Sequence, residues 1–359
     1  MLAFVIVYNL SEYIKGDVMA IEATQVVLPG KIEPSGLQVQ RRAVRDPGPG
    51  EALIRVEATG ISFAEQAMRR GRYYGQPPFP FVPGYDLVGT VAAVGAGAEP
   101  GLVGRRVAAL TKTGAWATEL VLPAATLVQV PDGIDPAVAE TAVVNGVTAW
   151  QMLHRQARVR SGQTILVQGA NSGVGTILVQ LAQHAGVTVI GTASPRHHDA
   201  LRGQGVEPID YNDPELPATV RKLAPGGVDA VFDNVGGRGV SQSFRLLAPG
   251  GTLVSYSLAG SLNGTAPLLP MFLALLTRLA IWNALPNRRH ARFYNVWAGV
   301  KNEDAFYSRL RADLAQVFLL LKAGVLTARI AARFPLTQAA AALQLAESRT
   351  VLGKVILEP

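Results

Sequence analysis

The stretch Thr164-Ile165-Leu166-Val167-Gln168-Gly169-Ala170-Asn171-Ser172-Gly173-Val174-Gly175 decides the fold. It opens as a buried strand, tightens into a turn of small residues, and passes straight into a helix. From Val174 the apolar residues Val174, Ile177, Leu178, Leu181, Ala182 and Ala185 share one helical face. Val187 to Ile190 then reads as a second buried strand. A strand, glycine turn, helix and strand in this order aim backbone N–H groups and the positive end of a helix at one point, where a pyrophosphate fits. The context makes this a dinucleotide site.

The next turn separates the two common dinucleotides. An NAD-type site carries Asp or Glu about 20 residues past the motif, at the end of the second strand, to bond the ribose 2′-hydroxyl. Here Gly191-Thr192-Ala193-Ser194-Pro195-Arg196-His197-His198 has no acid before Asp199. Ser194 offers a hydroxyl and Arg196 a planar cationic fork suited to a 2′-phosphate, which favours NADPH over NADH. The plainer alternative makes Ser194 a cap, with Pro195 at the first helical position, and Arg196 a solvated helix-start residue.

The whole chain sets bounds around this site. Its 359 residues suggest two domains, and 49% hydrophobic against 16% charged residues argues for a large core rather than disorder. Cysteine is absent, which excludes disulfides, thiolate catalysis and cysteine–zinc sites and is compatible with a cytoplasmic location. The net charge of +7 comes from dispersed residues, mostly Arg, with no basic block or aromatic-basic ladder; this argues against nucleic acid and fits attraction to a polyanionic cofactor. Leu2 to Val7 lacks a preceding cation and a cleavage site, so residues 1–18 are read as an extension and Met19 as an alternative start. Leu268 to Leu285 is interrupted by Pro270, Arg278 and Asn283, a poor membrane span, and is read as a helix covering the substrate cleft or an interface.

Before about residue 140 the chain reads as strands and turns: Glu51 to Ala58, Leu87 to Val94, Trp116 to Leu122 and Thr126 to Val130. Beyond Pro136, Asn145 to Trp150 enters a helix and strand–helix units follow. Val228 to Asp233 and Thr252 to Tyr256 read as parallel strands ending where a cofactor lies in an open α/β sheet. Phe293 to Trp297 is expected to be the last strand of that sheet. Asp304 to Ala323 is expected as a long helix and Gly353 to Leu357 as a final short strand.

Several segments together spell a family pattern. Phe79 to Gly89, with Pro83-Gly84 at its centre, Asn145-Gly146-Val147-Thr148-Ala149, Gly169 to Gly175, Asp233-Asn234-Val235-Gly236 and Gly353-Lys354-Val355 resemble the medium-chain dehydrogenase/reductase superfamily over about residues 20–359. Within it the chain resembles the zinc-free quinone oxidoreductases, the zeta-crystallin-like and vesicle amine transport protein-like branches. The resemblance implies an α/β fold: a β-rich GroES-like catalytic domain (19–142 and 299–359) and a doubly wound, parallel-sheet Rossmann domain for NADPH (143–298), commonly in a homodimer. Carried over by position, Ser172, Gly173 and Val174 face the pyrophosphate, within a turn bounded by Gly169 and Gly175. Ser194, Arg196 and Tyr211 serve the 2′-phosphate and adenosine end. Asn145, Thr148, Asn234 and Ser255 line the nicotinamide side, and the strand-end residues Thr192, Val235 and Tyr256 complete the set. The catalytic-lobe Asn of many relatives is Ser62 here, and the family's metal-binding His after Pro-Gly is Tyr85.

Without Cys, and with its first His at His154, the chain has no zinc-ligand set of the kind zinc-dependent relatives use, so no metal is expected. The expected substrate is then already electrophilic, a quinone or an α,β-unsaturated carbonyl, oriented by hydrogen bonds to its carbonyl oxygen. The candidate catalytic donors are Ser62, Tyr73, Tyr85 and Asn145, with Tyr74 beside them, and water is a candidate proton source. Two alternatives remain open: a nucleotide-bound interaction protein using RNA or a membrane as partner, and an enoyl-thioester reductase.

Overall fold

The computed structural model describes residues 21–237, 239–257, 267–348 and 350–359; the readings of residues 1–18 and of Met19 lie outside them. Six parallel strands form one sheet in the spatial order Glu207–Asp210, Thr188–Ala193, Thr164–Val167, Val228–Asp233, Leu247–Ser255 and His290–Phe293. Numbered along the chain this is 3-2-1-4-5-6, the Rossmann order, with its switch point between Thr164–Val167 and Val228–Asp233. Ile165, Leu166, Val167, Val231 and Phe232 are wholly buried. Both sheet faces are covered, which is why these strands are continuous apolar runs rather than alternating ones.

The second sheet is largely antiparallel. It runs Ile330–Pro335, Lys354–Glu358, Glu51–Ile61, Asp86–Val94, Arg106–Leu110 and Val128–Gln129, with Glu119–Pro123 also paired to Glu51–Ile61. The C-terminal strand thus pairs with a strand from the first part of the chain. Wholly buried Trp116 donates through Nε1 to the Gly60 carbonyl at 3.2 Å, and Gly84, at φ +107°, passes so close that a Cβ would lie 2.5 Å from the Trp116 nitrogen.

Several elements differ from the sequence expectation: the strand expected over Thr252–Tyr256 runs Leu247–Ser255, and the one expected over Glu51–Ala58 continues to Ile61. The strand expected over Trp116–Leu122 runs over Glu119–Pro123, with Ala117 only in an isolated bridge to Gln25, and the one expected over Thr126–Val130 contracts to Val128–Gln129, because Thr126 Oγ1 donates to the Pro123 carbonyl and closes a single helical turn at Ala124–Thr126. The last strand of the parallel sheet is His290–Phe293 rather than Phe293–Trp297. Its pairing ends when Tyr294 N–H reaches the Ser255 carbonyl, and Asn295 Oδ1 then accepts from Trp297 N–H and turns the chain.

A buried ionic cluster ties the chain ends together. Lys354 Nζ lies 2.7 Å from Glu140 Oε1 and 3.0 Å from Asp86 Oδ2, and all three residues are buried. Asp86 Oδ2 also accepts from Val144 N–H at 2.9 Å, at the start of the helix Val144–Trp150. Burial pushes Glu140 well above the usual carboxylate range, and the neighbouring Asp86 adds to this. Burial pushes the Lys354 ammonium down, but Asp86 and Glu140 outweigh it and hold the group above its ordinary value.

The glycine turn has equally tight geometry. Gly169 adopts φ +65°. A Cβ on Gly175 would collide with the Gly169 carbonyl oxygen, whereas one on Gly173 would meet Asn145 Nδ2 at 2.7 Å. The first is a backbone contact that cannot retreat; the second is the end of a side chain.

Two stability predictions follow from these contacts. Lys354→Met leaves two buried carboxylates without a counter-ion, a loss of about 3–5 kcal/mol near neutral pH. A carboxyl whose folded pKa is raised stabilises the fold below its ordinary pKa, and that contribution is lost as pH rises through the folded value. Removing the ammonium takes away the charge that holds Glu140 down and raises that carboxyl further, so the deficit in melting temperature against the native protein is expected to be larger at about pH 8 than at about pH 5. Equal deficits would contradict a charged cluster. In the turn, Gly175→Ala is expected to cost about 3 kcal/mol and Gly173→Ala under about 1 kcal/mol, an ordering that thermal denaturation of the two variants would check.

Candidate functional site

The strand Thr164–Val167 delivers the glycine turn to the crevice at the sheet's switch point. Ser172 caps the helix Gly173–His184 by accepting from Gly175 N–H at 3.0 Å, while its own N–H donates to the Gly169 carbonyl at 2.9 Å. Ser172 therefore shapes the turn, and its N–H is used internally rather than offered to a phosphate. The N–H groups of Gly173 and Val174 are the ones the first helical turn leaves open, at the positive end of the dipole. Thr192 holds the turn from the neighbouring strand: its Oγ1 accepts from Gly169 N–H at 3.1 Å and its carbonyl from Ala170 N–H at 3.0 Å.

Two amides flank the turn. Asn234 lies against Gly169 and Asn145 against Gly173. Asn234 is presented by a loop that buried Asp233 organises: Oδ1 accepts from Val235 N–H at 3.0 Å and Gly236 N–H at 2.8 Å, and Oδ2 from Ser243 Oγ at 2.7 Å. Asn145 and Thr148, both buried, project from one helix. That helix runs on into Gln151–Ala157 and is locked to the long helix Glu303–Lys322. Gln151 Nε2 donates to Asp313 Oδ2 at 2.8 Å, Arg155 pairs with Asp313 at 2.6 Å, and Tyr294 Oη donates to Gln151 Oε1 at 3.0 Å. Asn145, Gly173, Thr176, Arg329 and Lys354 line a cleft beside the motif helix.

At the end of the strand Leu247–Ser255, the Ser255 hydroxyl is buried without a hydrogen-bond partner among the described residues, and the buried Tyr256 hydroxyl faces the Ser172 side chain. Burial pushes the Tyr256 phenol up, keeping it protonated. An unpartnered buried hydroxyl is costly, and one at the mouth of a glycine cradle fits a polar ligand there. At the other end of the crevice, Thr188–Ala193 and Glu207–Asp210 are adjacent parallel strands, so Ser194 and exposed Tyr211 follow neighbouring strand ends, with exposed Arg196 two residues beyond Ser194 and its Nε donating to His197 Nε2. Ser194 makes no side-chain cap bond, so the hydroxyl is not used as the plainer reading required. Val235 is also exposed.

The catalytic candidates divide. Ser62 caps the helix Phe63–Arg69 in a reciprocal box: its Oγ accepts from Ala64 N–H and donates to Glu65 Oε2 at 2.5 Å, and Glu65 accepts from Ser62 N–H. Glu65 is buried, its pKa raised by that burial, and Oε1 takes the Tyr85 backbone N–H at 2.7 Å. Tyr73 and Tyr85 meet through their hydroxyls at 2.7 Å, with rings edge to face, and Trp297 Nε1 donates to Tyr85 Oη at 2.5 Å. Tyr74 stacks on Phe272 of the helix Leu268–Ala284, and Phe272 packs edge-on against Phe293. This extends the aromatic wall onto that helix. Leu275 and Leu279 pack inward while Leu269, Leu273 and Ile281 remain more than half exposed. No helix among the described residues is long and apolar enough to cross a membrane, and none of their His, Asp and Glu side chains gather in threes as a metal would need. Trp297, Phe272 and Asp313 carry no local sequence signal; only their long-range partners reveal them.

Comparison with known proteins accords with this geometry. Residues 48–132 match the alcohol dehydrogenase GroES-like domain family and residues 205–357 the family described as zinc-binding dehydrogenase. The chain is 32% identical over 332 residues to the human synaptic vesicle membrane protein VAT-1 homolog, covering 90% of this chain and 82% of that protein. It is 31% identical over 333 residues to a 2-haloacrylate reductase from a Burkholderia species, covering 88% and 93%. Among solved structures, a mycobacterial quinone oxidoreductase superposes with a TM-score of 0.78 at 30% identity, and a mycobacterial protein complexed with NADPH with 0.79 at 29%, each over 94% of this chain and 100% of theirs. The chain belongs to the medium-chain dehydrogenase/reductase superfamily, in its zinc-free quinone oxidoreductase branch.

Proposed function

We propose that this protein is an NADPH-dependent oxidoreductase that reduces a quinone or an α,β-unsaturated carbonyl without a metal ion. The observation that carries the reading is the glycine cradle, with two open helix N–H groups at one end and the unpartnered Ser255 hydroxyl at its mouth. Relatives point the same way: one is a 2-haloacrylate reductase, one a quinone oxidoreductase, and one was solved with NADPH.

Gly173 and Val174 would bind the pyrophosphate through their N–H groups, and Ser194, Arg196 and Tyr211 the 2′-phosphate and adenosine end. Asn145, Thr148, Asn234, Ser255 and Tyr256 would hold the nicotinamide side. NADPH, when bound, supplies a hydride. The protein's part is to orient the acceptor against the Tyr73, Tyr74 and Phe272 wall, keep bulk water from it, and present a phenolic O–H to the carbonyl oxygen as charge develops there. Burial holds the Tyr73 and Tyr85 pKa values above the ordinary phenol value, so both remain donors at neutral pH. Ser62 donates to Glu65 and supports Tyr85 from behind. The rival interaction-protein reading draws on the exposed leucines of Leu268–Ala284, which also suit a homodimer beside the open sheet edge His290–Phe293.

Arg196→Ala is expected to raise the NADPH dissociation constant by about ten- to a hundredfold while changing that of NADH by under about threefold. Equal effects would remove the 2′-phosphate assignment. NADPH oxidation with naphthoquinones or alkenones is expected to survive exhaustive chelation. Loss of turnover restored by zinc would overturn the metal-free mechanism, and tight NADPH binding with no turnover across acceptors would favour the rival.

A further inference from the structure

Trp297 lies outside every segment that identifies the nucleotide site, yet it touches the aromatic wall at a decisive atom. It sits in the turn after the last parallel strand, and its ring stacks on Phe306 at 5.8 Å with planes 16° apart. Its indole N–H donates to Tyr85 Oη at 2.5 Å, and Tyr85 Oη lies 2.7 Å from Tyr73 Oη.

The direction of the second bond follows from the first. An indole nitrogen only donates, while a phenol donates one proton and accepts others. Tyr85 is 4% exposed. If Tyr73 donated to it, Tyr85 would accept twice, and its own O–H would be buried without an acceptor, since its oxygen has no third partner among the described residues. That arrangement carries the full desolvation penalty of a buried donor. The satisfied arrangement runs from Trp297 N–H to the Tyr85 oxygen and from Tyr85 O–H to the Tyr73 oxygen. Tyr73, the more exposed of the two tyrosines, then keeps its own proton free to point away from Tyr85.

We propose that Trp297 is a positioning residue: by donating to Tyr85 it sets the direction of the hydrogen-bond chain and makes Tyr73 its outward donor, directed at the carbonyl oxygen of the acceptor. This rests on the reading of the protein as a reductase of quinones or conjugated carbonyls. Tyr73 and Tyr85 come from the segment before the glycine turn and Trp297 from far beyond it, 212 residues from Tyr85, so the donor's direction depends on the tertiary fold. Successive bonds of one polarity strengthen each other, so the proton presented by Tyr73 is a better donor than that of an isolated phenol.

The test has two arms. In the first, the indole N–H resonance of Trp297 is followed in the ligand-free protein. Tyr85→Phe is expected to shift it upfield and speed its solvent exchange about tenfold, while Tyr73→Phe leaves the bond in place. An unchanged resonance in Tyr85→Phe would overturn the chain. In the second, NADPH oxidation with 1,4-naphthoquinone is measured for Trp297→Phe, which keeps the ring stack and removes the N–H, for Tyr73→Phe, and for the double variant. Each single change is expected to lower kcat about three- to tenfold with NADPH affinity within about twofold, and the double variant to be no worse than Tyr73→Phe alone. Additive losses, or native kcat in Trp297→Phe, would mean that Trp297 only packs. Absence of turnover in the native protein would instead remove the reductase reading and with it the substrate role of Tyr73, while the resonance arm still decides whether the chain exists.

Discussion

Lys354 reaches from the first residue of the last strand into a pocket of carboxylates, and much of the molecule's arrangement depends on that reach. Asp86, the first residue of the strand Asp86–Val94, directly follows Tyr85 and caps the helix that carries Asn145 and Thr148. One carboxylate therefore relates the phenol of Tyr85 to the helix that carries the amide of Asn145. It can be buried there only because an ammonium from the far end of the chain compensates it. The closing strand Lys354–Glu358 thus supports the candidate site and, through Lys354, borders the cleft beside the motif helix.

Around that anchor, polar groups are arranged in two ways. Some are fully engaged and serve as scaffold: Asp233 orders the loop of Asn234, Thr192 clamps the glycine turn, and Asp313 fastens the helix of Thr148 to its neighbour. The Ser255 hydroxyl instead stands buried and unpartnered at the mouth of the cradle.

Much of this was legible in the residues. The glycine turn, its helix and the flanking strands follow from period and from the small residues a close backbone approach requires, and the parallel strands show as continuous apolar runs. The turn at Ser194 and Arg196 was visible because a missing acid is a local fact. Ser62 was visible as a polar residue in the catalytic lobe but not as a helix cap, although Glu65 three residues later was the available signal. Extending the last strand to Trp297 failed because Val296 and Trp297 look like strand residues, while the Asn295 side chain turns the backbone there.

Sequence alone thus determined the local chemistry: which turn can approach a phosphate, which strands are buried on both faces, and the absence of cysteine ligands. These depend on neighbours in the chain, where spacing dictates geometry. Tertiary structure alone decided the partners of Asp86, the lock at Asp313 and the donor that reaches Tyr85, since each joins residues far apart in sequence. Side-chain hydrogen bonds have no period and no fixed spacing. Only packing two sheets and their helices against one another brings such groups within 3 Å, and only then does burial make each unmatched proton costly enough to choose its direction.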